Sequence, residues 1–323
     1  MATVPSASAA VPLLDRRLIF VTGKGGVGKT TVASALALLA AQEGRRTMVC
    51  EADAKGNLGG FFGSKPLSFQ PTEVSPNLFA MAMDTEESLR EYLKLQLKLP
   101  LISRLGPLAR TFDFVATAAP GVKEILTVGK LAWEVKEHHY DLVVVDATAT
   151  GHVVGQLASP VAMAELVSVG VVRQQTEWMI ELLTDPAITG VVVVTTPEEM
   201  PVNETLELIE RLGTETTIDI AGVIANRVLP EVFNRAEEAV FDRLDRADAR
   251  AALSDQIGGG VDVVMDAARL AISLRRSRSE HLERLRRELP AGMPLSYVPY
   301  LFTRSHGVRT TRQVADFLGQ ELL

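Results

Sequence analysis

The segment Gly23-Lys24-Gly25-Gly26-Val27-Gly28-Lys29-Thr30-Thr31 narrows the folds open to this chain more than any other stretch. It fits the spacing G-x-x-x-x-G-K-[ST] and carries an additional lysine, Lys24, directly after the first glycine. The glycines let the backbone curl until successive N–H groups point inward around an anion. Such a loop belongs between a buried strand and a helix whose positive N-terminus faces the same anion. The flanks agree: Leu18-Ile19-Phe20-Val21 reads as a buried strand, and Val32, Leu36 and Leu39 recur at helical spacing. In this pattern Lys29 reaches the β- and γ-phosphates of a nucleotide, and the Thr30 hydroxyl holds a bridging Mg²⁺. The sequence therefore predicts a nucleotide site, with ATP and Mg²⁺ as its ligands.

Around this loop, short aliphatic runs alternate with helical stretches, the pattern of a parallel sheet covered on both faces. The runs predict strands at Leu18–Thr22, Thr47–Glu51, Leu78–Met83, Leu142–Asp146, Val191–Thr195, Ile218–Asn226 and Leu295–Val298. The fold class is α/β, a doubly wound and mostly parallel sheet with a helical subdomain inserted between strands. Residues 17–323 read as one domain behind a disordered tail at 1–16. The helical subdomain takes about 84–139 and 152–185, with Leu89, Tyr92, Leu93 and Leu97 on one side of its first helix. A further helical stretch runs from Pro230 to Leu289. In it Arg275, Arg276, Arg278, Arg284, Arg286 and Arg287 alternate with Glu280, Glu283 and Glu288, which reads as a solvated face of i,i+3 and i,i+4 pairs.

With 323 residues, 47% of them hydrophobic, the chain has ample material for an aliphatic core. Its net charge of −7 argues against a nucleic-acid partner. One cysteine, Cys50, excludes a disulfide framework and a cysteine-built metal site within one chain, and its place in Thr47-Met48-Val49-Cys50 suggests a buried strand residue. The opening residues lack the basic start of a signal peptide. The apolar stretch Ala147–Val172 is broken by Gly151, Gly155 and Pro160 and is a poor membrane span. A cytoplasmic chain is expected.

Two more segments face the phosphates if ligands bind at the C-terminal strand ends. Glu51-Ala52-Asp53-Ala54-Lys55-Gly56-Asn57-Leu58 follows the second strand, and Asp146-Ala147-Thr148-Ala149-Thr150-Gly151-His152 follows the fourth. Asp146, ending the run Val143-Val144-Val145, is placed to hold Mg²⁺ through water. Asp53 is the candidate to orient and deprotonate the attacking water and to contribute to the metal site, with a turn-forming aspartate as the alternative.

These segments together resemble the ArsA family of dimeric P-loop ATPases, which includes the arsenite-pump ATPase and the targeting ATPase for tail-anchored membrane proteins. Asp146 to His152 is similar to the family's D-T-A-P-T-G-H switch II, and Asp53 to Leu58 stands where its D-P-A-H-[SN]-L switch I would. Asn226-Arg227-Val228-Leu229-Pro230 resembles the family's adenine-recognising N-[KR]-x-x-P segment. Pro299-Tyr300-Leu301-Phe302, followed by Gly307 and a last amphipathic helix, resembles its closing adenine loop. The resemblance implies hydrolysis of ATP to ADP and phosphate. It also implies that Lys24 crosses a dimer interface to the other subunit's phosphates, in a homodimer or a heterodimer with a related subunit. An ATP-driven open and closed cycle would then control a protein client or membrane-protein partner.

The chain departs from the family's better-known members. A single cysteine argues against metalloid binding, and no C-x-x-C pair is present for a zinc clasp. Ala54 and Gly56 replace the Pro and His of switch I, which bears on turnover rather than binding. Two other readings stay open. Asp53-Ala54-Lys55-Gly56-Asn57 also resembles the D-P-Q-G-N of positioning ATPases of the ParA/MinD type, although neither a basic DNA-binding face nor a basic terminal helix accompanies it. The altered switch I is also compatible with a catalytically weak, ATP-dependent scaffold.

Overall fold

A computed structural model of the chain describes residues 11–53, 56–96, 121–166, 170–231, 233–303 and 307–323. Its aliphatic runs are strands buried on both sides. In β1 (Leu18–Gly23), Leu18 and Phe20 enter one apolar cluster while Ile19 and Val21 enter the other. β5 (Leu142–Ala149) divides Val143 and Val145 from Leu142 and Val144 in the same way, and β6 (Thr189–Thr195) divides Val191 and Val193 from Val192 and Val194. Successive side chains of a strand point to opposite faces, so a run with no polar alternation needs a layer of helices on each side. β2 (Thr47–Glu51), β3 (Thr72–Ser75), β4 (Leu78–Ala82), β7 (Ile220–Val228) and β8 (Leu295–Pro299) complete an eight-stranded sheet. The order is β3-β4-β2-β5-β1-β6-β7-β8, and every pairing is parallel except β3 on β4.

One face is covered by α1 (Lys29–Gln42), which is rich in alanine and almost wholly buried. The short α2 (Leu58–Phe61) adds Leu58 to that layer. Beyond it, α3 (Thr85–Gln96) packs on α4 (Val122–Lys136), which lies on the opposite face with α5 (Thr150–Leu166), α6 (Val171–Thr184) and α7 (Glu199–Glu215). Then α8 (Arg235–Leu244), α9 (Ala247–Ile257) and α10 (Val261–Glu288) form an arm with a small core of its own, Phe241, Met265 and Ile272. α11 (Val308–Leu322) returns to the α1 face through Val314, Ala315 and Leu318. No helix among the described residues is long and apolar enough to cross a membrane.

Three sequence expectations need correction. β3 was not anticipated: Thr72-Glu73-Val74-Ser75 is polar and partly exposed, as an antiparallel edge strand can be. The tail expected over 1–16 is too long, and its residues 1–10 lie outside the described part. Leu13–Asp15 forms a 3₁₀ turn, Leu14 joins the α1-side core, and the Arg16 side chain is only 3% exposed. Arg16 donates to the Thr189 carbonyl at 2.8 Å and to Asp219 Oδ2 at 2.6 Å, closing the lower ends of β1 and β6. The arginines of α10 lie on a largely exposed face, as expected, but most of their partners are not at i,i+3 or i,i+4. Arg284 does pair with Glu288, but Arg276 reaches Glu238 of α8, Arg278 reaches Glu198, and Arg286 donates to the Tyr297 hydroxyl. Of the leucines expected on the first subdomain helix, Leu93 is buried and Leu89 half-buried, whereas Leu97 lies outside the described residues.

Arg16→Ala should remove two hydrogen bonds from a charged donor and leave the Thr189 carbonyl without its partner, a loss of about 2 kcal/mol. A lower urea midpoint with unchanged nucleotide affinity is the expected result. An unaltered midpoint would mean that the turn at Leu13–Asp15 contributes nothing to stability.

Candidate functional site

The C-terminal ends of β2, β5, β1, β6 and β7 lie side by side, so the loops after them share one edge of the sheet. The phosphate-type loop leaves β1 between its two neighbours, and the glycines are there for contact as much as for curvature. Gly23 has φ +145°, and a Cβ on it would lie 2.1 Å from the Val194 carbonyl oxygen of β6. Gly28 has φ +97°, and a Cβ there would lie 2.3 Å from Asn226 Nδ2 of β7. Gly26 also takes positive φ, whereas a Cβ on Gly25 or Gly26 would meet nothing within 4 Å, leaving that side of the loop open. Val27 is buried beneath it, and α1 begins at Lys29 with its first N–H groups toward the loop.

Three groups expected to act on phosphate and metal come together. The Thr30 hydroxyl donates to Asp146 Oδ2 at 2.6 Å, and the Lys29 ammonium donates to the Lys24 carbonyl at 3.2 Å. Asp53 sits half-buried in the bend after β2. The amide of Ala52 before it donates to the Asp146 carbonyl at 3.1 Å, joining the two switch-like segments by their backbones. Thr31 is buried on the same turn of α1. Hard oxygen donors from a hydroxyl and carboxylates are the set that suits Mg²⁺. Burial, with the Asp146 and Glu51 charges nearby, pushes the Cys50 thiol up, so it stays protonated and packs as a small apolar side chain.

Lys24 departs from expectation. The sequence offers it no partner within its own chain, yet its ammonium is paired with Glu204 of α7. Both side chains keep about a third of their exposure, 27% and 32%. Nothing in the sequence pattern marks this pair, because Glu204 lies 180 residues away on an amphipathic helix rich in acids.

The segments expected to take the base line a cavity of about 250 Å³. Asn226, Arg227, Pro299, Tyr300 and Leu301 are on its wall, joined by Thr31, Thr303 and Thr310. Arg227 holds φ +59°, rare for a non-glycine residue, and Tyr300 N–H donates to the Val228 carbonyl at 2.8 Å. Phe302 is the exception among these residues. It is 76% exposed, its ring is 4.8 Å from that of Tyr300, and it borders a neighbouring cavity of about 130 Å³ instead. Two residues outside the expected set stand at this edge. Glu51, weighed only as a substitute for Asp53 in turnover, ends β2 as a buried acid, the same signal that singles out Asp146, and Glu204 had no signal.

The sequence profile of the Anion-transporting ATPase family matches this chain over residues 16–182 and 163–251. ATPase BagA of Mycobacterium tuberculosis is 34% identical over 245 residues, 71% of this chain and 72% of that protein. A putative arsenical pump-driving ATPase of Halobacterium salinarum is 30% identical over 290 residues, 82% of this chain but 43% of that protein. ATPase GET3 of Podospora anserina is 30% identical over 157 residues, 48% of this chain and 46% of that protein. Together with a P-loop set on a mostly parallel α/β sheet, these matches make the chain a nucleotide-binding, ATP-hydrolysing member of the anion-transporting ATPase (ArsA) family.

Proposed function

We propose that this ATPase is a dimeric switch that takes ATP with Mg²⁺ and uses its two nucleotide states to control a protein client or membrane-associated partner. The observation that carries the reading is the direct bond from Thr30 at the start of α1 to Asp146, three residues before the end of β5. It brings together the hydroxyl and carboxylate that metal-assisted phosphoryl transfer requires, with Lys29 next to Thr30 in the chain. Bound with ATP, Mg²⁺ would offset negative charge on the β- and γ-phosphates. Thr30 and Asp146 would hold it, Lys29 would donate to phosphate oxygen, and Asp53 would orient the attacking water and accept its proton. The backbone N–H groups from Gly25 to Thr30 would cradle the phosphates, with the base between Asn226 and the Pro299–Leu301 turn.

The helical layer supports the partner half. Among α3, α4, α5 and α6 lies a cavity of about 200 Å³, walled by Leu89, Tyr92, Ile125, Leu126, Trp133, Met163, Trp178 and Met179. An apolar cavity of this kind, edged by two tryptophans 6.5 Å apart, suits an apolar protein segment. The one ammonium among the described residues of its wall, Lys130, is neutralised by Glu91 and Glu134, whose hydrogen bonds outweigh burial and raise its pKa. α5 starts directly after β5, so a shift of the Asp146–His152 segment with nucleotide state would move the helix that carries Met163. Dimer closure would take Lys24 from Glu204 to the phosphates of the second subunit.

Three outcomes test the reading. Lys29→Ala should weaken ATP binding by about 1.5–3 kcal/mol through loss of a charge-assisted phosphate contact, and calorimetry giving an unchanged Kd would remove Lys29 from the site. Asp53→Asn keeps the shape and loses the base, so ATP binding should persist while turnover falls by about 10²-fold. Turnover within a few-fold of the unsubstituted chain would pass the role to another group. Lys24→Ala should bind ATP as a monomer without turnover, whereas Glu204→Gln should dimerise at lower ATP concentration because Lys24 has lost its competitor. Light scattering that finds the unsubstituted chain monomeric with ATP, or a fully active Lys24→Ala monomer, would sink the dimer mechanism.

A further inference from the structure

Two carboxylates stand on neighbouring strands at the catalytic edge. Glu51 of β2 and Asp146 of β5 are register partners, and two residues before them Val49 and Val144 both enter the α1-side core. Alternation along each strand therefore sends Glu51 and Asp146 to the same face. That of Asp146 is known from its bond with Thr30. The Glu51 side chain is only 3% exposed. Its Oε1 accepts the Asn57 N–H at 3.1 Å, across the segment that carries Asp53. Its Oε2 is buried and has no hydrogen-bond partner. No ion pair to Glu51 is formed among the described residues.

A buried carboxylate oxygen without a donor is unfavourable. Such a group persists where something absent from the bare protein completes it. Resting on the Mg²⁺–ATP reading above, the geometry points to Glu51 as a positioning residue for the ATPase reaction. One oxygen anchors the Asp53–Leu58 loop through Asn57. The other accepts a hydrogen bond from the water shell of the nucleotide-bound Mg²⁺, so that the loop carrying Asp53 is set by the presence of the ion. Glu51 is not a metal ligand in this arrangement: it acts through water and through the loop, as outer-shell carboxylates do. Its charge, not its size, is what the ion reads.

ADP as the probe avoids turnover. Calorimetry of the full chain should find ADP bound more tightly with Mg²⁺ than without it. Glu51→Gln keeps the shape and an acceptor for Asn57 but loses the charge. It should leave metal-free ADP affinity within about twofold while cutting the Mg²⁺-dependent gain by about tenfold. Glu51→Ala should lose the same gain and also speed hydrogen exchange at the Asn57 amide before any ligand is added, which Glu51→Gln should not. Both variants replace an acid that has no donor for one oxygen, so the thermal midpoint of the ligand-free Glu51→Gln chain should not fall. Electron spin resonance with Mn²⁺ and ADP gives a second readout, in which the bound-ion signal saturates at higher Mn²⁺ in Glu51→Gln. If the original chain gains from Mg²⁺ and Glu51→Gln gains equally, the inference is overturned while the Mg²⁺ reading stands. If the original chain gains nothing from Mg²⁺, the reading itself fails, and this inference with it.

Discussion

The side-chain amide of Asn226 holds the site to the fold. It is 5% exposed, donates to the Val27 carbonyl at 2.8 Å and accepts the Arg227 N–H at 2.9 Å. An aspartate would keep the acceptor and lose the donor that the loop needs. β7 is separated from β1 by β6, so this bond reaches across a whole strand to pin the phosphate-type loop from the far side. The same contact dictates Gly28, because any Cβ there would collide with the amide. It also fixes the start of the base-side wall, since Arg227 follows in a left-handed conformation and Tyr300 binds the Val228 carbonyl. The phosphate-type loop and the wall of the neighbouring cavity are thus tied together through this buried amide.

Much of this was legible in the sequence because its physics is local. A run such as Val191-Val192-Val193-Val194 has no polar side to turn to water, so two helical layers follow from it. Asp146 was legible for the same reason, being an acid at the end of such a run. Glu51 carries that signal too, but Asp53 two residues later fits the switch pattern and drew the assignment. β3 was hidden because an edge strand of four polar or half-buried residues is held by backbone pairing, which leaves no side-chain signature. The Lys24–Glu204 pair was hidden because it depends on where α7 lies over the loop, a tertiary outcome. The orientation of Phe302 was likewise not legible: its ring is exposed and lies outside the cavity that Tyr300 lines, and no sequence pattern says which way an exposed ring faces.

The polar groups at the strand ends are already engaged within the chain, so on the proposed reading nucleotide binding would be an exchange of partners. Lys24 holds Glu204, Thr30 holds Asp146, and Lys29 donates to a main-chain carbonyl of its own loop. The magnitudes decide which way the exchange runs. An ion pair as exposed as Lys24–Glu204 is worth about 0–1 kcal/mol. A charge-assisted bond to phosphate is roughly twice as strong as a neutral one, and in a closed dimer it would form away from water. An internal partner as weak as Glu204 orients the Lys24 side chain without competing seriously with phosphate. On the proposed reading Glu204 differs from the other two partners, because its hold on Lys24 would bear on assembly rather than on binding within one chain. Its release would then fall to the second subunit, and it sits on α7, which packs against the same helical layer that carries the apolar cavity.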